Sequence, residues 1–145
     1  MGILDGKRLL ITGVLTDASL AFAVAKLAQE EGAEIVLTGA GRGMRLTERT
    51  ARKLPEEAEV LEFDVTSAEQ AAAVRSHLAA KWGQVDGALH AIGFAPEVCL
   101  GEDFMAAQWA DVSVAVEISA YSLKTVAEVV APLMTGGGSI VGLDF

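Results

Sequence analysis

Short apolar runs alternate along this chain with stretches whose apolar positions recur every three to four residues, the periodicities of buried strands and amphipathic helices. The first run, Arg8–Thr12, predicts a strand, and a helix follows from about Ser19 to Glu31, closed by Gly32 as a left-handed cap. Strand two is expected at Glu34–Thr38, helix two at about Met44–Leu54, stopped before Pro55, and strand three at Glu59–Phe63. Helix three, Ser67 to about Trp82, opens on two overlapping capping boxes, Thr66-x-x-Glu69 and Ser67-x-x-Gln70. Strand four is Val85–Ala91, closing on Ile92-Gly93. A polar connection and a long helical stretch, about Ala110–Leu133, then lead through Gly136, Gly137 and Gly138 into strand five, Ser139–Leu143. No repeat, low-complexity tract or linker interrupts the series, so residues 1–145 read as one domain.

Strands alternating with helices in right-handed crossovers give an α/β fold, a Rossmann-like doubly wound parallel sheet covered on both faces. Ligands of such sheets bind at the carboxyl ends of the strands, where the strand order reverses. Gly13–Ser19, Gly39–Arg42, Asp64-Val65 and Ala91–Phe94 each follow a strand directly and would line that edge. The first of these, within LLITGVLTDASL, ends a strand on a glycine and restarts as a helix whose unpaired N–H groups and positive dipole end face the loop. A pyrophosphate fits such a site. The glycine spacing is sparser than G-x-G-x-x-G, with Ser19 and Ala21 in the later glycine places.

Composition narrows the classes further. A chain of 145 residues can bury roughly 68% of its unfolded surface, enough for a real core. Hydrophobic residues make up 52% and the mean hydropathy is +0.40, yet no apolar run reaches the roughly 18 residues of a membrane span. The excess fits strands buried on both faces, with a subunit interface besides. MGILDGKRLL lacks the basic start and apolar stretch of a secretory signal, and Cys99 alone cannot form an internal disulfide, so a reducing cytoplasm is the expected compartment. Eleven basic against twenty acidic residues, net −9, argue against nucleic acid or an anionic membrane as the main partner. Arg42, Arg45, Arg49, Arg52 and Lys53 cluster; a solvated helix face explains them, with a role for Arg42 near a ribose or phosphate as the alternative.

Six colinear segments, TGVLTDASLAFAVA, EIVLTG, FDV, HAIGF, EISAYS and GGGSIVGLDF, resemble the NADH-dependent enoyl-acyl-carrier-protein reductases. The likeness is to the isoniazid-inhibited branch of that family, within the short-chain dehydrogenase/reductase superfamily, and to its N-terminal part. This resemblance implies that Gly13 lets the chain turn beneath the cofactor while Ser19 and the Leu20 amide hold the pyrophosphate. Ser19 as a plain helix cap is the alternative. It implies that Asp64 accepts from the adenine amino group with the Val65 amide beside it, unless Asp64 only turns the chain into helix three. Ile92 and Gly93 would pack along the nicotinamide ribose, with Phe94 on the substrate side. A serine commonly precedes that Ile-Gly pair in the family; here the residue is Ala91.

Cofactor choice is usually decided after strand two, where an acid binds the ribose 2′-hydroxyl and a base accommodates the phosphate of NADP. This chain offers Gly39, Ala40, Gly41 and Arg42, and Ala40 cannot cover the adenosine as the family's bulky aromatic does. NADH is expected from the resemblance, with NADPH as the alternative because of Arg42. No metal is expected.

The implied reaction is hydride transfer to C3 of a trans-2-enoyl thioester on acyl carrier protein, in fatty-acid biosynthesis, with protonation at C2. In the family a Tyr-x6-Lys pair after strand five stabilises the developing enolate. Phe145 matches the substrate-side aromatic that ends strand five, whereas that pair would come later, so these 145 residues alone are expected to be inactive. Tyr121 and Lys124, with the wrong spacing and before strand five, read as packing residues, as does buried-strand His90; His77 reads as surface. Cys99 has no paired histidine to make it a nucleophile. Strand five would be an unpaired apolar edge, suggesting a truncated or split product, and the family suggests a homotetramer with Ala110–Leu133 as interface. The alternative function is a non-catalytic dinucleotide-binding module, acting as a sensor or partner subunit. A receiver-like signalling domain is disfavoured because strand one ends in Thr12-Gly13 without an acidic pair.

Overall fold

A computed structural model describes residues 1–144. Among the described residues, five strands form one parallel sheet in the order β3-β2-β1-β4-β5. They are β1 (Arg8–Ile11), β2 (Glu34–Gly39), β3 (Glu59–Glu62), β4 (Gly87–His90) and β5 (Ser139–Gly142). Alternation along each strand feeds both faces. Leu10, Val36 and Ala88 enter one core with Val74, Leu78 and Val126, while Ile11, Leu37 and Leu89 enter the other with Ala21, Ala25 and Ala28. Burying each large aliphatic side chain of this kind stabilises by roughly 1.5–3 kcal/mol, which is why the strands read as continuous apolar runs.

The helices α1 (Leu20–Glu30) and α2 (Met44–Ala51) belong to the second of these cores, and α3 (Ala68–Trp82) and α6 (Ser122–Val130) to the first. The chain runs outward from β1 through β2 to β3, then returns by α3 to β4 on the other side of β1. The order therefore reverses between β1 and β4, and their tips bound the crevice where ligands of this architecture bind. Gly32, expected as the left-handed cap of α1, has φ 92°.

Three expectations need correcting. The stretch Ala110–Leu133 is helical throughout but not one α-helix: α5 (Trp109–Val116) passes through a π-turn, Glu117–Tyr121, into α6, and a 3-10 turn, Ala131–Leu133, follows. Ser122 Oγ donates to the Ile118 carbonyl at 2.6 Å, a side-chain bond to the preceding turn of the kind that perturbs a helix. The connection after β4, read as polar, holds a short helix α4 (Glu97–Leu100) and a 3-10 turn (Phe104–Ala106), and it exposes Leu100, Phe104 and Met105. Of the two capping boxes, only Ser67 caps α3, accepting from the Gln70 N–H. The Gln70 side chain turns instead to the Asp64 amide, at 2.6 Å.

Candidate functional site

A groove of about 450 Å³ lies across the carboxyl tips of β1, β2, β3 and β4. Its walls include Gly13, Gly39, Ala40, Asp64, Val65, Ile92, Gly93 and Phe94, eight positions singled out from the sequence. Thr12 joins the two central tips. Its hydroxyl donates to the Leu89 carbonyl at 2.9 Å and accepts from the Ala91 N–H at 3.1 Å. Gly13, next along the chain, has φ 83°, and a Cβ there would overlap the Ala91 carbonyl. Its glycine character thus serves the contact between the β1 and β4 tips as well as the turn.

Past Gly13 the loop is pinned at three points from the side of α2. Thr47 and Thr50 of α2 donate to the Val14 and Leu15 carbonyls at 2.7 and 2.9 Å, and Lys53 pairs with Asp17 at 2.7 Å. That hydrogen bond and the lysine charge hold the Asp17 carboxyl below its ordinary pKa. Ser19 makes no side-chain cap on α1; its Oγ accepts instead from the Leu15 and Thr16 amides, at 3.1 and 3.0 Å. A hydroxyl accepts about two hydrogen bonds and donates one, so the Ser19 O–H is left as a donor. The Leu20 and Ala21 N–H groups have no acceptor among the described residues. Three donors thus cluster at the positive end of a helix, the arrangement that receives a phosphate. Ser19 and Leu20 lie beside the groove rather than in its walls.

At the β3 tip, Asp64 does turn the chain, its Oδ1 accepting from the Thr66 N–H and hydroxyl at 2.9 and 2.7 Å. Oδ2 has no hydrogen bond among the described residues, so the turn uses one carboxylate oxygen and leaves the other. At the β2 tip, Gly39 is packed against Met44 and Thr47, while Ala40, Gly41 and Gly43 line the groove. Arg42 is exposed and has no ion pair among the described residues. At the β4 tip, a Cβ on Gly93 would meet nothing within 4 Å, so the backbone there faces open space.

Tyr121 and Lys124 lie elsewhere, in a groove of about 850 Å³ between α3 and α6, where Lys124 pairs with Glu128 at 2.6 Å. His90 is buried, with Nε2 2.7 Å from Ser122 Oγ. Because that hydroxyl already donates to Ile118, it accepts from Nε2–H, and burial lowers the His90 pKa. His90 is thus a neutral structural residue. His77 sits on α3, 2.9 Å from Glu59. Cys99 sits on α4, and Phe145 lies outside the described residues. Thr38, Thr47, Phe63 and Ile118 also line the groove and escaped the sequence reading. Thr38, Phe63 and Ile118 were within reach, since they belong to the EIVLTG, FDV and EISAYS segments; Thr47 looks like an interior position of a helix. Among the described residues no helix is long and apolar enough to cross a membrane, and no cluster of three metal-ligating side chains occurs.

Residues 13–145 match the family model described as enoyl-(acyl carrier protein) reductase. The chain is 46% identical to an enoyl-[acyl-carrier-protein] reductase [NADH] of Mycolicibacterium smegmatis, over 99% of this chain and 55% of the relative. It is 42% identical to that of Mycobacterium avium, over 99% and 54%, and 37% identical to that of Neisseria meningitidis, over 100% and 56%. The chain spans about half the length of the curated relatives it matches. With a parallel sheet in this order, a groove at its switch point and this match over nearly its whole length, the chain belongs to the enoyl-(acyl carrier protein) reductase family.

Proposed function

We propose that this chain is the dinucleotide-binding part of an NADH-dependent enoyl-acyl-carrier-protein reductase of fatty-acid biosynthesis and holds NADH in the strand-tip groove. The observation that carries the reading is the donor set at the start of α1, the Ser19 hydroxyl with the Leu20 and Ala21 amides, beside a groove that continues to Asp64. The groove residues fit the nucleotide chemically. The donor set would take the diphosphate, and Asp64 Oδ2 with the Val65 amide would take the adenine edge. Ile92, Gly93 and Phe94 would lie along the nicotinamide half, where the bare backbone at Gly93 leaves room.

Bound NADH supplies the hydride; the protein's part is to fix the nicotinamide and keep water from it. The substrate in this reading is an enoyl thioester on acyl carrier protein, and the assembled form is a cytoplasmic homo-oligomer. The single tyrosine of the sequence, Tyr121, lines the α3/α6 groove, so no phenol is available at the nucleotide groove. These 145 residues therefore bind NADH without appreciable turnover, since a missing positioned acid costs about 10²–10⁴ in rate.

Titration of the chain with NADH, and with NADPH because of Arg42, followed by nucleotide fluorescence, tests the reading. Saturable NADH binding, weakened on the order of ten-fold by Asp64→Ala, is expected. Absence of saturable binding overturns the reading, and unchanged affinity in Asp64→Ala removes Asp64 from the adenine site.

A further inference from the structure

The π-turn has a use that the nucleotide site alone does not explain. Ser119, at its centre, donates its hydroxyl to the Phe94 carbonyl at 2.8 Å and accepts from the Phe94 N–H at 2.9 Å. One side chain thus bridges both polar groups of a residue 25 positions away. The backbone from Ile92 to Ala95 makes no other hydrogen bond among the described residues. The turn also brings Ile118 into the groove wall, and its own position is fixed from below by Ser122, which bonds the Ile118 carbonyl and His90.

From this we infer that Ser119 is a positioning residue, holding the Ile92–Phe94 backbone so that the β4 side of the groove receives the nicotinamide half of NADH. The inference rests on the proposed NADH site. It assigns the nicotinamide to the β4 side because, in a sheet of this order, the adenosine lies over β2 and the diphosphate at the start of α1. Ser119 touches neither of those parts. Its loss frees the Phe94 backbone and leaves the adenosine and diphosphate contacts as they were.

The test compares NADH with ADP, which carries only the adenosine and diphosphate, by calorimetric titration of the full chain and its Ser119→Ala variant. Two lost hydrogen bonds weaken NADH binding on the order of ten-fold. ADP affinity is expected to stay within about two-fold, and Ser119→Thr, which keeps the hydroxyl, restores NADH binding. Unchanged NADH affinity in Ser119→Ala, or an equal loss for both nucleotides, overturns the inference while leaving the NADH site standing. A wild-type chain that binds neither nucleotide overturns both. Amide exchange of the wild-type chain needs no variant: protection at Phe94 rises with NADH and not with ADP, and an equal response to the two contradicts the role assigned to Ser119.

Discussion

The two banks of the groove are built differently. The bank formed by residues 13–19 is held by Thr47, Thr50, Ser19 and the Asp17–Lys53 pair, whereas the backbone of residues 92–95 is hydrogen-bonded only to Ser119 among the described residues. Both banks lead into segments with exposed apolar side chains, Leu20 and Leu27 of α1 after the first and Phe104 and Trp109 after the second, but α1 also buries Ala21, Ala25 and Ala28 in the core. A diphosphate is bound by fixed dipoles, and fixing them before the ligand arrives removes an ordering cost from binding.

The largest expected effect sets the glycines of the two banks against each other. Gly13→Ala forces a side chain into a positive φ and into the Ala91 carbonyl, costing on the order of 3 kcal/mol. Gly93→Ala, with open space around it, changes stability by less than about 0.5 kcal/mol. Urea denaturation of both variants checks this, and similar losses would erase the contrast. Next comes Ser122→Ala, which leaves the His90 Nε2–H and the Ile118 carbonyl without their partner and destabilises by about 1–3 kcal/mol in the same assay. Thr47→Val removes the bond to the Val14 carbonyl at nearly constant volume, for about 1 kcal/mol. It is expected to weaken NADH and ADP alike, because in the proposed site the anchored loop serves the diphosphate.

A pH series sharpens the account of the β4 support. Burial lowers the native pKa of His90, so below the ordinary histidine value the unfolded chain takes up a proton that the folded chain resists. The His90 contribution is complete above about pH 6.5 and is lost as pH falls from there toward the lower native pKa. Urea midpoints at pH 7.5 and 5.5 should differ in that direction, with a smaller difference in His90→Gln. Equal differences in the two proteins would exclude His90 as the source.

The sheet was readable because its central strands are runs such as Leu9-Leu10-Ile11, apolar on both faces and closed by a turn, while the edge strands β3 and β5 carry only the pairs Val60-Leu61 and Ile140-Val141 and are recognised by their place in the alternation. The groove was readable at the positions that directly follow strands, Gly13, Gly39, Asp64 and Ile92, since topology alone carries them to one edge. What stayed hidden depends on side-chain direction. Thr47 reads as an ordinary helix residue, and only the packing of α2 on the loop reveals that its hydroxyl reaches Val14. Ser19 reads from the sequence as a phosphate ligand or as a helix cap, and only the structure shows that its oxygen accepts from the Leu15 and Thr16 amides and does not cap α1. The π-turn has no periodic signature, because Glu117–Tyr121 continues the apolar pattern on either side; its cause lies in hydroxyl-to-backbone bonds that periodicity does not record.

The most direct test of the central claim is a crystal structure of the chain grown with NADH. The diphosphate is expected within hydrogen-bond distance of Ser19 Oγ and the Leu20 amide, with adenine beside Asp64 and nicotinamide beside Gly93. A diphosphate bound away from the start of α1, or a nucleotide running in the opposite direction across the strand tips, would contradict that claim.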